Sequence, residues 1–208
     1  LRMADVQKYK EEDGPSQSFE TTNRAEVMFF TNRQQVYKCR LSEFDDSKAS
    51  LLGDYLPSKL GMDQEESVVR MVLPGDYSGA LLFLFENGKA ARVDLSAYAT
   101  TSNRRKLTGA YSDKSPLSAL LHLTEDRELA LYSTEPRALI FNTALLSPKS
   151  TRTTQGVQVM TLKPKYHLSE VRPVEDTSIT NLPRYRCRSI PAAGALLKEE
   201  DGEQMRLL

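Results

Sequence analysis

The chain is poor in the features that announce chemistry. Only two cysteines, Cys39 and Cys187, occur in 208 residues. That excludes a disulfide scaffold, and neither cysteine lies at a metal-ligand spacing. So few cysteines fit a reduced, intracellular compartment. Neither sign of charge predominates: Lys+Arg and Asp+Glu both number 28, for a formal net charge of zero. Bulk attraction to a polyanion is excluded, and any such role must come from how charge is distributed. No apolar run approaches the ~18 residues of a membrane-spanning helix. Leu1-Arg2-Met3-Ala4-Asp5 does not open a signal peptide's hydrophobic region. A Walker P-loop, a Gly-rich dinucleotide fingerprint and a His-Glu-x-x-His pair are all missing. His122, in the apolar run Leu120-Leu121-His122-Leu123, and His167, after Lys163-Pro164-Lys165-Tyr166, form no recognisable triad spacing. The expectation is a soluble cytoplasmic protein, or a piece of one, with no catalytic residue, metal or cofactor.

What the chain does have is a repeat. The stretch Phe29–Phe44 lies without a gap on Phe83–Tyr98, and a weaker copy runs Leu131–Leu146. A period of roughly 40–50 residues with several short strands in each copy marks a propeller-like array. Each unit reads as a strand (Glu26–Thr31, Ala80–Phe85, Glu128–Ser133), a tight turn, and a second strand (Val36–Leu41, Ala90–Leu95, Ala138–Thr143). Asn87-Gly88 is the strongest turn signal, because both residues tolerate positive φ. A polar loop follows, then a further strand at Val68–Leu73, Leu117–Leu123 and Val157–Leu162. Apolar and polar positions partly alternate, so Phe29, Phe83, Phe85, Val36 and Leu41 read as core. Cys39, aligned with Val93 and Phe141, is a packed apolar substitute.

The repeats fill residues 1–172: a partial unit at 1–22, with Gln17–Thr21 as its last strand, then units at about 25–73, 80–123 and 128–162. Residues 173–208 are a polar linker and a charged end that could supply a closing strand, with Tyr185–Ile190 the alternating candidate between Pro183 and Pro191. The fold class is all-β, an array of about four four-stranded blades, some incomplete.

Phe29-Phe30-Thr31-Asn32-Arg33 followed by Val36-Tyr37-Lys38 resembles the repeat of the C-terminal domain of the A subunits of type IIA topoisomerases, DNA gyrase and topoisomerase IV. Thr151-Arg152-Thr153-Thr154-Gln155-Gly156-Val157 is similar to the family's basic, small-residue stretch ending in Gly-Val. The resemblance covers residues 16–165. It implies a β-pinwheel whose blades exchange strands, and a non-catalytic role in binding and bending duplex DNA for the catalytic core of an ATP-dependent enzyme. The partners it implies are double-stranded DNA, the catalytic core of the same polypeptide, and the ATPase B-type subunit, on the nucleoid. No run like the gyrase Gln-Arg-Arg-Gly-Gly-Lys-Gly is present, which points toward a topoisomerase IV-like or divergent A subunit.

A repeat places cations at regular intervals, as tracking a phosphate backbone requires. Lys38 and Arg92 match in the second strand, and Lys89 and Arg137 match in the turn. Lys48, the run Arg104-Arg105-Lys106, and Lys149 with Arg152 recur in the loop after each hairpin. These ten residues are the candidate DNA contacts, with Arg104-Arg105-Lys106 foremost. Acids gather elsewhere, at Glu11–Asp13, Asp45-Asp46, Asp63–Glu66 and Glu199–Asp201, so zero net charge is compatible with one basic face. The alternatives are a protein-docking propeller without a DNA role, and an enzyme with a site in a central channel, for which no set of acids or histidines recurs.

Overall fold

The computed structural model describes residues 16–48, 51–101 and 104–202. Its strands in chain order are β1 (Glu26–Thr31), β2 (Gln35–Arg40), β3 (Val68–Val72), β4 (Ala80–Phe85), β5 (Lys89–Asp94), β6 (Lys106–Thr108), β7 (Leu117–Leu123), β8 (Glu128–Ser133), β9 (Arg137–Asn142), β10 (Val157–Gln158), β11 (Leu168–Pro173) and β12 (Ala195–Leu196). Two short helices, α1 (Leu56–Leu60) and α2 (Leu182–Tyr185), join them. They form three antiparallel four-stranded sheets, in the orders β3-β1-β2-β6, β10-β5-β4-β7 and β11-β8-β9-β12. Each blade is a hairpin flanked on one side by its own third strand. The strand on its other side arrives only after the next repeat has begun or, in the last blade, from the C-terminal segment. None of the described helices is long and apolar enough to cross a membrane.

The sequence repeat is reproduced bond by bond. Leu41, Leu95 and Thr143 occupy matched positions, and each begins a short 3-10 turn after its hairpin. Each also donates its backbone N–H to a matched carbonyl, of Ala25, Gly79 and Arg127. The hairpin turns differ: Gly88 takes a positive φ of 82°, and Gln34 takes φ 54° at the equivalent position, a left-handed conformation unusual for a residue with a Cβ.

The chain separates into two compact units: Leu1–Asp76 with Thr100–Thr108, and Tyr77–Ala99 with Gly109–Leu208. In the second, the period of two that defines a strand builds two cores at once. Leu129, Leu131, Leu139 and Phe141 enter one cluster with Leu82, Leu84 and Leu123, while Ala130, Tyr132, Ala138 and Ile140 enter another with Ile179 and Tyr185. With both faces covered, β4 reads as the continuous apolar run Ala-Leu-Leu-Phe-Leu-Phe, buried throughout. Phe83, on the face away from Leu82 and Leu84, stacks on Tyr111 at 5.3 Å between centroids. Each such side chain contributes about 1.5–3 kcal/mol on burial. In the first unit Val27, Phe29, Tyr37 and Cys39 pack with Phe44, Leu56, Leu60 and Met71. Burial lifts the Cys39 thiol to about 11, so it stays an inert, packed residue.

Each unit also buries one carboxylate against a tyrosine. Glu66 accepts from the Tyr37 hydroxyl at 2.8 Å and the Asp63 N–H at 2.8 Å. Asp201 accepts from the Tyr185 hydroxyl at 2.6 Å and from the Thr180 N–H and hydroxyl at 2.9 and 3.1 Å. Burial works against the charged form of Asp201, but these three donors outweigh it and hold the pKa below the ordinary value.

The strand content departs from expectation in four places. Gln17–Thr21 is not a strand; instead the Gln17 side-chain amide pairs with the Met71 backbone, donating at 3.1 Å and accepting at 2.8 Å. Of Val157–Leu162 only Val157–Gln158 is a strand, and it pairs with β5 in the second blade; the third blade's own strand is Leu168–Pro173. The segment read as a linker from residue 173 therefore begins on the last residue of a strand, Pro173. Tyr185–Ile190 is not a strand either: α2 ends at Tyr185, Arg186 makes one isolated bridge to Ile140, and Ala195–Leu196 completes the third blade. Glu11–Asp13 and the end after Gly202 lie outside the described residues.

Candidate nucleic-acid interface

The ten candidate cations separate by what surrounds them. Four are committed inward. The Arg92 side chain, only 16% exposed, makes an ion pair of 2.7 Å with Asp126 and donates to the Thr143 carbonyl at 2.9 Å. Arg137 pairs with Glu135 at 3.1 Å and donates to the Gly194 carbonyl at 3.3 Å. Arg152 donates to the Ala97 carbonyl at 2.9 Å and lies over the Tyr98 ring at 6.0 Å. Lys38 is buried in β2 and reaches the Thr100 hydroxyl at 3.4 Å. Matched sequence positions placed these side chains in matched strands, but the strand interior claims them.

Two more are neutralised at the surface. Arg105 is ion-paired with Glu43, and the Lys106 ammonium sits 3.3 Å from Asp63 and 5.6 Å from the centroid of the Tyr37 ring. Partial burial pulls Lys106 down, yet its hydrogen bonds to Asp63 and Tyr37 outweigh that and leave it raised. Asp63 is held below its ordinary value by hydrogen bonds from Gln35 and Lys106. The run that reads as the most basic in the sequence is thus half masked by acids from residues 43 and 63.

The remaining four are the available ones. Lys48, Arg104 and Lys149 are exposed and have no acidic partner among the described residues. Lys89 is half-buried at the start of β5, its ammonium 3.5 Å from the Gln155 side-chain oxygen. Two of these converge in the second unit. The loop from Ser147 to Gly156 runs along the outer edge of β5, held by Lys149 N–H to Arg92 carbonyl and Asp94 N–H to Lys149 carbonyl bonds, both 2.8 Å. Lys149 is therefore fixed at one end of β5 and Lys89 at the other, about 13 Å apart along the strand at 3.3 Å per residue. A shallow groove of about 200 Å³ between them is lined by Ala90, Arg92, Leu146, Lys149, Thr154 and Gly156.

A sequence signal for this surface existed in another form. From Pro136 to Ser169 there is no Asp or Glu, while Arg137, Lys149, Arg152, Lys163 and Lys165 fall in the same span. The loop adds hydroxyls from Ser147, Ser150, Thr151, Thr153 and Thr154. Lys165 joins the available cations; Lys163 is paired with Glu135 at 2.7 Å. Cations and hydroxyls without acids are what phosphate oxygens require of a surface. Among the described residues no group of three or more His, Cys, Asp or Glu could hold a metal ion.

Four-stranded blades completed by a strand from beyond the next hairpin define the β-pinwheel class. Known proteins share this architecture and part of the sequence. A family model described as the DNA gyrase C-terminal domain, beta-propeller, matches residues 25–50 and 140–175. The gyrase A proteins of Staphylococcus aureus strains MRSA252 and NCTC 8325 are 27% identical over 157 residues, which is 74% of this chain and 18% of the relative. The chain thus spans less than a fifth of the curated relatives it matches. Among solved structures, the C-terminal domain of DNA topoisomerase IV aligns with TM-score 0.65 and 22% identity, over 75% of this chain and 49% of that one. The E. coli ParC C-terminal domain aligns with TM-score 0.68 and 14% identity, over 92% and 84%. The chain thus has the β-pinwheel fold of these solved domains and is similar in part of its sequence to the gyrase A family.

Proposed function

We propose that this domain binds and bends duplex DNA by its phosphate backbone, presenting it to the catalytic core of a type IIA topoisomerase. The observation that carries the reading is the hydroxyl-rich loop along β5, drawn from a stretch without Asp or Glu from Pro136 to Ser169, with Lys89 and Lys149 towards opposite ends of β5. Contacts of this kind are largely blind to sequence and steeply dependent on salt, because each neutralised phosphate releases counterions. Bending a site of 20–30 base pairs costs on the order of 1–6 kcal/mol, so several weak contacts have to act together. In this reading the domain performs no chemistry itself; strand cleavage and ATP hydrolysis belong to other parts of the enzyme, including a B-type subunit, in the bacterial cytoplasm. Arg104 and Lys48 are secondary contacts from the first unit, while Arg92, Arg137, Arg152 and Lys38 support the blades that carry the contacts.

The test is binding of a labelled duplex of about 40 base pairs across a salt series. Affinity that falls steeply with salt and is indifferent to sequence supports the reading, and a circular-permutation or energy-transfer assay then reports the bend. Absence of binding at low salt removes DNA capture and leaves a protein-docking role.

A further inference from the structure

Two arginines hold the same place in two repeats. Arg105 and Arg152 each stand four residues before a glycine, Gly109 and Gly156, in the loops that follow the second and the third hairpin. Each reaches back to the 3-10 turn after the preceding hairpin, and to the same position in it. Arg105 is ion-paired with Glu43, and Arg152 donates to the Ala97 carbonyl at 2.9 Å. Glu43 and Ala97 coincide when Phe29–Phe44 is laid on Phe83–Tyr98. The residue after each is aromatic and carries a cation over its ring, Lys59 over Phe44 at 5.6 Å and Arg152 over Tyr98 at 6.0 Å. The first blade divides the two contacts between two cations, and the second gives both to Arg152.

Arg152 is also the middle of its loop. Lys149 lies three residues before it, and three residues after it lies Gln155, whose side-chain oxygen receives the Lys89 ammonium at 3.5 Å. The backbone on either side is fastened to β5, at Lys149 by its bonds to Arg92 and Asp94 and at Val157 by its pairing with Ala90. Between those points the Arg152 guanidinium ties the loop to Ala97 and Tyr98, and the Thr153 methyl lies 3.4 Å from where a Cβ on Gly109 would stand. The Tyr98 hydroxyl donates to the Ala110 carbonyl at 2.7 Å, which joins the two sides of this seat. The Arg152 Nε is shut off from solvent, as a side chain turned onto the blade requires. Its counterpart Arg105 makes the same anchorage to a carboxylate, so the position is defined by where the arginine reaches and not by free charge.

We infer that Arg152 is a positioning residue for the phosphate-binding surface. It seats the loop from Ser150 to Gln155 on the turn of the second blade and thereby fixes Lys149 and Lys89, without touching the duplex itself. Cations that are ordered beforehand do not have to be ordered on binding. The positioning role rests on the proposed capture of DNA; the seating of the loop does not.

The experiment compares the chain with Arg152→Met and Arg152→Lys. Amide exchange at Thr154 and Gly156, read residue by residue by NMR, reports the loop without DNA. Anisotropy of a labelled duplex of about 40 base pairs across a salt series reports capture. Arg152→Met should speed exchange at both amides by about tenfold or more and leave the melting temperature unchanged. It should weaken duplex binding by roughly three- to tenfold at an unchanged salt slope. Arg152→Lys keeps a donor for the Ala97 carbonyl and a cation for the Tyr98 ring, and should bring exchange and affinity back to within about twofold of the original. A salt slope that falls by about one in Arg152→Met makes Arg152 a phosphate contact and overturns the inference. Unchanged exchange in Arg152→Met overturns it too, as does affinity that stays low in Arg152→Lys once exchange is restored. If the unsubstituted chain captures no duplex at low salt, the DNA reading fails and the positioning role with it; faster exchange in Arg152→Met then still establishes the seat, so the two failures are told apart.

Discussion

The run Arg104-Arg105-Lys106 and the loop from Ser147 to Gly156 make an instructive pair. The first has three consecutive cations, the second only two in its whole length, Lys149 and Arg152. Yet Glu43 and Asp63 form ion pairs with Arg105 and Lys106, whereas Lys149 forms no ion pair among the described residues and Lys89 lies on the strand beside its loop. Charge available to a phosphate depends on which acids the fold brings alongside, not on how densely cations follow one another. Surface ion pairs are individually weak, so the masked cluster is attenuated rather than silenced.

The comparison can be broken most strongly from the second unit. Lys89→Glu combined with Lys149→Glu should weaken duplex binding at low salt by roughly thirtyfold or more and lower the salt slope by about two. Fluorescence anisotropy across a salt series checks both numbers, and an unchanged slope would remove these lysines from the interface. Next in size is Arg92→Met, which removes the guanidinium that donates to Asp126 and to the Thr143 carbonyl and leaves Asp126 with the Thr143 hydroxyl. It should destabilise the domain by about 1–3 kcal/mol in urea unfolding while leaving the salt slope alone, marking Arg92 as a support. A change in slope without loss of stability would reverse that assignment.

The masked cluster can be sharpened into an active one. Glu43→Gln with Asp63→Asn releases Arg105 and Lys106, and affinity should rise by roughly three- to tenfold at low salt. Equal affinity in the same anisotropy assay would show that Arg105 and Lys106 do not face the duplex. The smallest effect concerns the third blade's closing segment. Because Asp201 has a folded pKa below its unfolded one, its contribution is fully present above the ordinary aspartate range near 3.9 and is lost as pH falls through the depressed folded value. Amide exchange of residues 195–202 should therefore stay constant from pH 7 to about 5, after correction for intrinsic rates, and accelerate only in stronger acid.

Legibility in the sequence followed the range of the interaction. The hairpins at 26–40, 80–94 and 128–142 were readable, because their pairing is local and their period of two survives in the residue order. Val157–Gln158 was readable as a strand but not as a partner of the distant β5, because no local pattern encodes which edge a short strand completes. Leu182–Tyr185 shows the opposite failure: alternation at Tyr185–Ile190 suggested a strand, and a proline in the first turn with packing of Tyr185 beside Ile179 made a helix of its start. Among the cations, recurrence at matched positions located Lys38 and Arg92 correctly within the repeat, while their burial came from partners far along the chain, Thr100 and Asp126.

Residue order alone determined the repeat, the all-β class, the hairpins and the resemblance that names the fold, because each rests on neighbours a few residues apart. Only the tertiary structure decided which cations form no ion pair among the described residues and which segment completes which blade. Those outcomes depend on contacts between distant parts of the chain, where a single acid or sheet edge changes what a side chain can do.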